Sequence, residues 1–578
     1  MVEWLGSKSM PKFMKSRYIV SEENIERRDR LPWRLLALAA ILIGVALRIW
    51  QYAANPSIWV DEAAIARNVL DRQPSELFGH LDYGQIAPPG FLLAVKLSAT
   101  LLGCSEYALR IVPFVAGIAS PALFYYVARS FLRPVATIAA TLMFSMAVPL
   151  VFFSANLKQY SSDVAITLLV IGIALRLRPS PLTLRTACVF AFIPVPLLFF
   201  SQAAVFPLTI AGVVVFTDAF LERRPDRWHR LAVVVSWVAV VVAAVAYSSS
   251  AMTSVDNVFL HRLWENAIMP REGEIQWLWT TVKNIFGPLR PSLVDGSLHY
   301  AKPGLFALLA GIGGVTLFAS SPALGTLVVG PVVLTLVASL FHAYPFGVRV
   351  DLFLLPLLLL AVVAGADYLA QLLIRRRAGE YTPLLLLPFA ITTLLHQPPP
   401  HRPEHLRPVM QYVSDHWKAG DALWVYYGAG QAFEYYSKLM PIRGDVRVGD
   451  CNRADPREYL RQVDVERGRA RVWVLMTHGS GPFRFDERKM LIAYLDKIGR
   501  RVDDFHAPPG DSSPNRAEAF LFDLSDPGKL AQSSTERFGI QNNYPPMTWA
   551  CYGTMSPHGP NDKVIEAVKE KKGGALLR

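Results

Sequence analysis

The chain has 578 residues, 52% hydrophobic and only 18% charged, with a mean hydropathy of +0.29 and a net charge of +12. This composition excludes a soluble globular protein and fits a polytopic membrane protein. It also excludes nucleic acid as the reason for the positive charge, because Arg and Lys fall largely in short loops between apolar runs, where they set orientation in a bilayer.

Residues 1–32 are polar and basic and read as a cytoplasmic N-terminus. Arg27, Arg28, Arg30 and Arg34 lead into the first apolar run, Trp33–Trp50. No small-residue cleavage site follows, so the run reads as a retained span. Residues 52–87 then lie outside. They carry Trp59-Val60-Asp61-Glu62-Ala63, two adjacent carboxylates close beyond a span. Such a pair is costly against a bilayer unless it has a task or a cation. Asp61–Leu70 is expected to form a short helix lying on the membrane, with Ile65 and Val69 on one face and Asp61, Ala64 and Asn68 on another.

The run Pro88–Gly103 carries Lys96 and, at about sixteen residues, is short for a span of roughly twenty. Counting it as a crossing would put Arg129 and Arg133 outside and Lys158 and Asp163 inside. It is therefore read as a second juxtamembrane helix. Further spans are expected at Tyr107–Val127, Ala136–Phe153, Val164–Leu177, Thr186–Phe200, Ala203–Leu221, Leu231–Tyr247, Pro303–Ala319, Leu324–Phe341, Val350–Leu369 and Tyr381–His396. Basic loops with Arg176, Arg178 and Arg185, with Arg223, Arg224, Arg227 and Arg230, and with Arg375, Arg376 and Arg377 mark the inside. The count is about eleven spans, N-terminus inside and C-terminus outside. Residues 249–300 form an outside loop with Phe259, Trp264, Trp277, Trp279 and Phe286. Its aromatics serve either as headgroup-level anchors or as contacts to a lipid-linked substrate.

From Gln397 a Pro-rich linker leads into a soluble composition. Leu423–Tyr427, Val472–Met476 and Ala519–Phe522 read as strands, and Pro408–Trp417, Gly430–Lys438 and Asp486–Lys497 as helices. Together they predict a small α/β domain. The expected organisation is a basic N-terminus (1–32), a transmembrane catalytic domain (33–396) and an extracytoplasmic α/β domain (397–578). Of four cysteines, Cys188 lies in a span, while Cys451 and Cys551 fall in the outer domain, where a disulfide can form.

Three outer loops hold the polar residues. The first has Asp61, Glu62, Asp82, Tyr83 and Gln85; the second Asn156, Lys158, Gln159, Tyr160 and Asp163; the third His342 to Arg349. Carboxylates and cations at one water–lipid boundary suit a reaction on a lipid phosphate. Lys or Arg grips the headgroup while a carboxylate takes a proton from a hydroxyl.

Five stretches in order carry a resemblance. They are Trp59–Ala63, Tyr83-Gly84-Gln85-Ile86-Ala87-Pro88-Pro89-Gly90, Leu109-Arg110-Ile111-Val112-Pro113, Lys158-Gln159-Tyr160-Ser161-Ser162-Asp163 and Tyr344-Pro345-Phe346-Gly347-Val348-Arg349. Over about residues 33–370 the sequence resembles the GT-C class of membrane glycosyltransferases. It is most similar to the family-39-like branch of protein O-mannosyltransferases, aminoarabinose lipid A transferases and lipopolysaccharide sugar transferases. The resemblance implies a polyprenyl-phosphate sugar donor, paired membrane-surface helices in the first outer loop, a catalytic carboxylate there and a second acidic residue in the next. By that match Asp61 is the candidate general base, with Glu62 and Asp163 as its acidic companions. Tyr83, Gln85, Lys158, Tyr160, His342 and Arg349 are candidate substrate-binding residues, and Arg349 or Lys158 the phosphate cation. Each has a plainer reading. Arg349 also fits a membrane anchor, Asp163 a helix N-cap, Glu62 a solvent-facing residue and His342 an interfacial polar one. Arg110 reads as a partner for an outer-loop carboxylate.

No cofactor is assigned. Asp61, Glu62 and Asp163 are candidate ligands for a divalent metal ion, which stays open. The expected partners are the lipid-linked donor, a glycolipid, polysaccharide or protein acceptor, and the bilayer of the inner (plasma) membrane. A transporter or flippase, or a non-catalytic envelope assembly protein, is the competing reading. The first would place its ionisable groups mid-membrane, and the second has no use for the acidic pair.

Overall fold

The computed structural model describes residues 31–287, 298–300, 302–347, 349–374, 377–453, 455–479, 486–508, 516–540 and 551. The basic N-terminal segment, Arg375 and Arg376 lie outside these residues. Among the described residues eight helices are long and apolar enough to cross a membrane, or nine if one bent pair counts as a span.

The first span is α1 (Leu31–Ala53). Two shorter helices follow, α2 (Val60–Asp71) and α3 (Pro89–Leu102). The 14 residues of α3 reach only about 21 Å, less than the ~30 Å hydrocarbon core. Next come α4 (Glu106–Ala128), the bent pair α5 (Pro134–Met146) and α6 (Val148–Ser154), and α7 (Tyr160–Leu177). Two short apolar helices, α8 (Leu184–Phe192) and α9 (Pro194–Phe200), precede the spans α10 (Val205–Leu221) and α11 (Arg227–Ser250). The connecting helices α12 (Ser254–Leu263) and α13 (Glu274–Phe286) lead to the spans α14 (Pro303–Ser320) and α15 (Pro322–Leu340). A 3₁₀ turn at Arg349–Leu354 opens α16 (Leu355–Leu373), and a 3₁₀ segment, Arg377–Leu386, opens α17 (Leu387–His396).

The expected spans Thr186–Phe200 and Tyr381–His396 are therefore broken rather than continuous. Pro194 opens α9 and Pro383 sits in the 3₁₀ segment. Each removes a helical N–H donor.

The bend of 52° between α5 and α6 has a similar cause. The donor for the Ser145 carbonyl would be the N–H of residue 149, which is a proline. Arg48, buried in α1, fills the gap: its Nη1 donates to Ser145 O at 3.1 Å and to Gly44 O at 2.9 Å. Ser145 Oγ in turn donates to the Ala40 carbonyl at 2.8 Å. Gly44 permits this approach, since a Cβ there would lie 2.6 Å from Ser145 Oγ.

The C-terminal domain runs α18 (Leu406–Asp415), β1 (Ala422–Val425), α19 (Tyr427–Leu439), β2 (Asp445–Val448), α20 (Pro456–Asp464), β3 (Val472–Met476), α21 (Glu487–Ile498), β4 (Arg500–His506) and β5 (Glu518–Asp523). The five-stranded sheet has the order β2-β1-β3-β5-β4, with β2, β1 and β3 parallel and β5 antiparallel to both β3 and β4. The chain leaves β1 to one side and returns on the other. The carboxyl ends of β1 and β3 thus flank the point where strand order reverses. Cys451 and Cys551 form a disulfide.

This domain shares one hydrophobic core with the juxtamembrane helices. Ile65, Ala66 and Val69 of α2 and Phe91 and Val95 of α3 pack in the same cluster as Val409, Phe433 and Trp473. Helix α2 therefore does not lie on lipid, because α19 covers it: Arg67 pairs with Glu434 at 2.6 Å and Lys438 with Asp71 at 2.6 Å.

The α1–α5 contact gives a first test. Gly44→Leu should force the helices apart and lower stability by about 1–3 kcal/mol. The readout is a lower thermal midpoint in detergent, with Gly44→Ala affected less.

Candidate active site

Helix α2 begins at Val60 after an extended Trp59, and its first turn contains Asp61 and Glu62. Successive helical residues point about 100° apart, so the two carboxylates face different surroundings.

Glu62 is fully buried and spent on structure. Arg110 of α4 grips it with Nε at 2.8 Å and Nη2 at 2.5 Å, and the Leu157 N–H donates to Oε1 at 2.6 Å. Arg110 also donates to the carbonyls of Pro56 at 2.6 Å and Ser57 at 3.1 Å. The loops that follow α1 and α6 are thus tied to α4 through one carboxylate. The expectation that Arg110 pairs an outer-loop carboxylate holds. The expectation that Glu62 faces solvent does not, because both its oxygens are consumed.

Asp61 faces a set of cations. Arg349 Nη2 lies 2.6 Å from Asp61 Oδ2. The Arg349 guanidinium sits 5.8 Å from the Trp59 ring and 5.3 Å from the Trp264 ring, and it hydrogen-bonds Tyr160. Lys158, also buried, donates from Nζ to Gln85 Oε1 at 2.6 Å. Burial pushes the Asp61 carboxyl up, but Arg349, Lys158 and His478 together hold it below the usual carboxylate range. Burial brings the Lys158 ammonium down to about 8, against the opposing pull of Asp61.

The third loop is shaped by Asp351. Gly347, in the left-handed region at φ +91°, donates its N–H to Asp351 Oδ2. Asp163 is buried inside the first turn of α7, whose N-cap is Gln159, so it is not the cap. It takes a hydrogen bond from Ser201, and the half-buried Tyr344 lies in the field of Asp351, Asp163 and Tyr160.

Two expected substrate-binding residues fall elsewhere. Tyr83 stacks under Arg67 at 4.9 Å, nearly two turns along α2 from Asp61, and burial pushes its phenol up to about 12. His342 bonds the Met269 carbonyl through Nε2 at 3.1 Å. The three candidate metal ligands do not converge either. Glu62 is held by Arg110, Asp61 by Arg349, and Asp163 by Ser201. Among the described residues no group of three or more His, Cys, Asp or Glu side chains is placed to hold a metal ion.

Sequence reasoning missed four contributors. Asp351 stands two residues after Arg349 and was readable from that proximity. Trp264 reads in the sequence only as one aromatic among several. Glu404 and His478 lie in the region without a motif, and nothing local marks them. Glu404 Oε2 accepts the Val60 N–H at 3.2 Å, capping α2 beside Asp61.

No family model matches the sequence, and no curated protein does. Among solved structures, the chain is similar to an oligosaccharyltransferase from Archaeoglobus fulgidus, at 11% identity and a TM-score of 0.43, over 85% of this chain and 73% of that one. It is also similar to ArnT from Cupriavidus metallidurans, at 13% identity and a TM-score of 0.42, over 85% of this chain and 98% of that one. A second ArnT structure, bound to undecaprenyl phosphate, matches at 14% identity and a TM-score of 0.38. Likenesses this distant fix neither a shared site nor a shared substrate.

The Glu62–Arg110 pair should behave as a buried salt bridge. Arg110→Ala strands the Glu62 charge and should cost about 3–5 kcal/mol. Combining Arg110→Met with Glu62→Leu should cost less than either change alone, read from thermal midpoints of the purified variants.

Proposed function

We propose that the chain is a glycosyltransferase that moves a sugar from a polyprenyl-phosphate donor to a hydroxyl of a glycolipid, polysaccharide or protein, at the outer face of the inner membrane. The observation that carries this reading is the convergence of Asp61, Arg349 and Lys158 at one end of the bundle, on the loops that carry the glycosyltransferase-like motifs. Two ion pairs that join membrane-length helices away from the site, Arg133–Asp367 and Arg178–Asp218, sit toward the helix ends, which favours transfer over transport. The Cys451–Cys551 disulfide suits an oxidising compartment and supports placing the C-terminal domain outside.

With His478 balanced by Glu404, Arg349 and Lys158 against Asp61 leave the site one positive charge in excess. The phosphodiester of a lipid-linked sugar brings one negative charge, which balances it. A guanidinium holds two phosphate oxygens at once, so the donor competes with Asp61 for Arg349. Drawing Arg349 toward phosphate frees Asp61 and raises its basicity. The acceptor oxygen then attacks the anomeric carbon with inversion. The bond from that carbon to the phosphate oxygen breaks with its electron pair on the phosphate, and the hydroxyl proton passes to Asp61. Arg349 and Lys158 meet the charge that develops on phosphate.

Asp61→Asn should leave the protein folded and cut turnover by about 10²–10⁴-fold. Near-normal turnover would move the base elsewhere. Lys158 is charged below its pKa of about 8 and neutral above it. Donor use, measured as kcat/KM for donor, should therefore fall as pH rises through about 8. Lys158→Arg, which stays charged, should lack that fall. Orientation is testable on the native thiol of Cys104, which is exposed at the α3–α4 turn. In a Cys188→Ser background an impermeant maleimide should label it in intact spheroplasts; labelling only after lysis would reverse the orientation.

A further inference from the structure

The C-terminal domain carries no recognisable motif, yet it presents to the start of α2 an ionisable couple, half-buried His478 on buried Glu404. His478 follows β3 at the carboxyl edge of the sheet, where strand order reverses. Its Nδ1 lies 2.7 Å from Glu404 Oε1 in the linker, and the other oxygen of Glu404 accepts the Val60 N–H, one residue before Asp61. Both members of the couple have left-handed backbone, Glu404 at φ +48° and His478 at φ +56°. That conformation is unfavourable for a non-glycine residue, and it persists where the surroundings over-determine it, often at functional sites. The crevice at the carboxyl ends of parallel strands, at a reversal of strand order, is where α/β sheets place functional groups.

We propose that His478, held by Glu404 against the N-terminus of α2, is a positioning residue of the Asp61 site: its imidazolium acts on the Asp61 carboxylate, making the C-terminal domain part of the active site. This rests on Asp61 being the base. The facing charges can be named. Burial disfavours the imidazolium, but the Glu404 carboxylate and its hydrogen bond outweigh that, and His478 is held above its ordinary value. Asp61 adds to this and Arg453 opposes it. Arg453 is itself engaged by Glu487 at 3.1 Å and by the Tyr427 ring at 5.6 Å. On the far side of Asp61 stand Arg349 and Lys158. Once a donor phosphate has drawn those two away, His478 is the cation left to Asp61 from the soluble side. It keeps the carboxylate ionised and ready for a proton.

The test is the pH dependence of kcat/KM for acceptor at saturating donor, which reports the enzyme–donor complex. A base must be ionised, so activity falls as pH drops through its pKa. His478→Gln removes a cation and should move that fall to higher pH by roughly half a unit to one unit. Glu404→Gln weakens the imidazolium and should move it the same way by less. His478→Arg restores the charge and should move it back. A lower kcat in His478→Gln and Glu404→Gln with the acid fall unmoved would overturn the proposal and leave the couple a structural latch. Full turnover in Asp61→Asn would overturn the Asp61 reading itself. Lost turnover there with an unmoved fall in His478→Gln would overturn only the role of His478.

Discussion

The geometry of the site depends on the pairing of Arg110 with Glu62. A guanidinium and a carboxylate, both buried, satisfy each other bidentately, and their remaining capacity goes to backbone groups of two loops. Removing charges from water costs several kcal/mol apiece, and good geometry with full hydrogen bonding is what offsets it. That need fixes α2 in rotation as well as position. With Glu62 locked toward α4, Asp61 must emerge about 100° around the helix, and there it meets Arg349 and Lys158. The less exposed member of the acidic pair thus aims the more exposed one.

The surroundings of Asp61 form a deliberately unbalanced set. Two cations against one carboxylate would be unfavourable in a closed core. At the mouth of a bundle they form an anion site whose resident carboxylate keeps Arg349 occupied. The flanking rings of Trp59 and Trp264 hold the guanidinium plane without consuming its donors. In the proposed mechanism, exchange of Arg349 from Asp61 to phosphate would link donor arrival to activation of the base, because the contact that lowers the basicity of Asp61 is the one phosphate would remove.

Much of this was legible in the sequence, and the illegible part has a pattern. Hydropathy located the long spans. The parity of Arg129, Arg133, Lys158 and Asp163 around the short run Pro88–Gly103 kept α3 out of the count, in agreement with its 14 residues. Alternating apolar runs located β1, β3 and β5. The edge strands β2 and β4 escaped because neither has a buried face to leave an apolar pattern. The broken helices escaped although their prolines were in view, because mean hydropathy over a window does not register one missing N–H. In the site, the motifs delivered Asp61, Lys158, Tyr160 and Arg349 as neighbours. They misjudged Glu62, whose burial depends on an arginine 48 residues away. They could not deliver His478 and Glu404, whose approach to α2 spans hundreds of residues and shows only in the folded chain.

That long-range approach explains why α2 is sandwiched rather than laid on lipid. A helix resting on a membrane surface can roll, and a carboxylate on it would sample a range of depths. Here the bundle holds α2 through Glu62, and α19 holds it through Glu434 and Lys438. The linker closes the remaining side: the Ser57 hydroxyl lies 2.7 Å from His405 Nδ1, and the Tyr436 hydroxyl takes the Ile58 N–H at 2.7 Å. Gln51 and the backbone of His401 exchange hydrogen bonds at 2.9 and 2.8 Å, fastening the linker to the end of α1. A base that must sit within hydrogen-bond reach of an acceptor hydroxyl cannot tolerate a helix free to rotate. On the proposed reading of Asp61 as base, holding α2 in this way is a mechanical task for the C-terminal domain, even if it contributed no side chain to the chemistry.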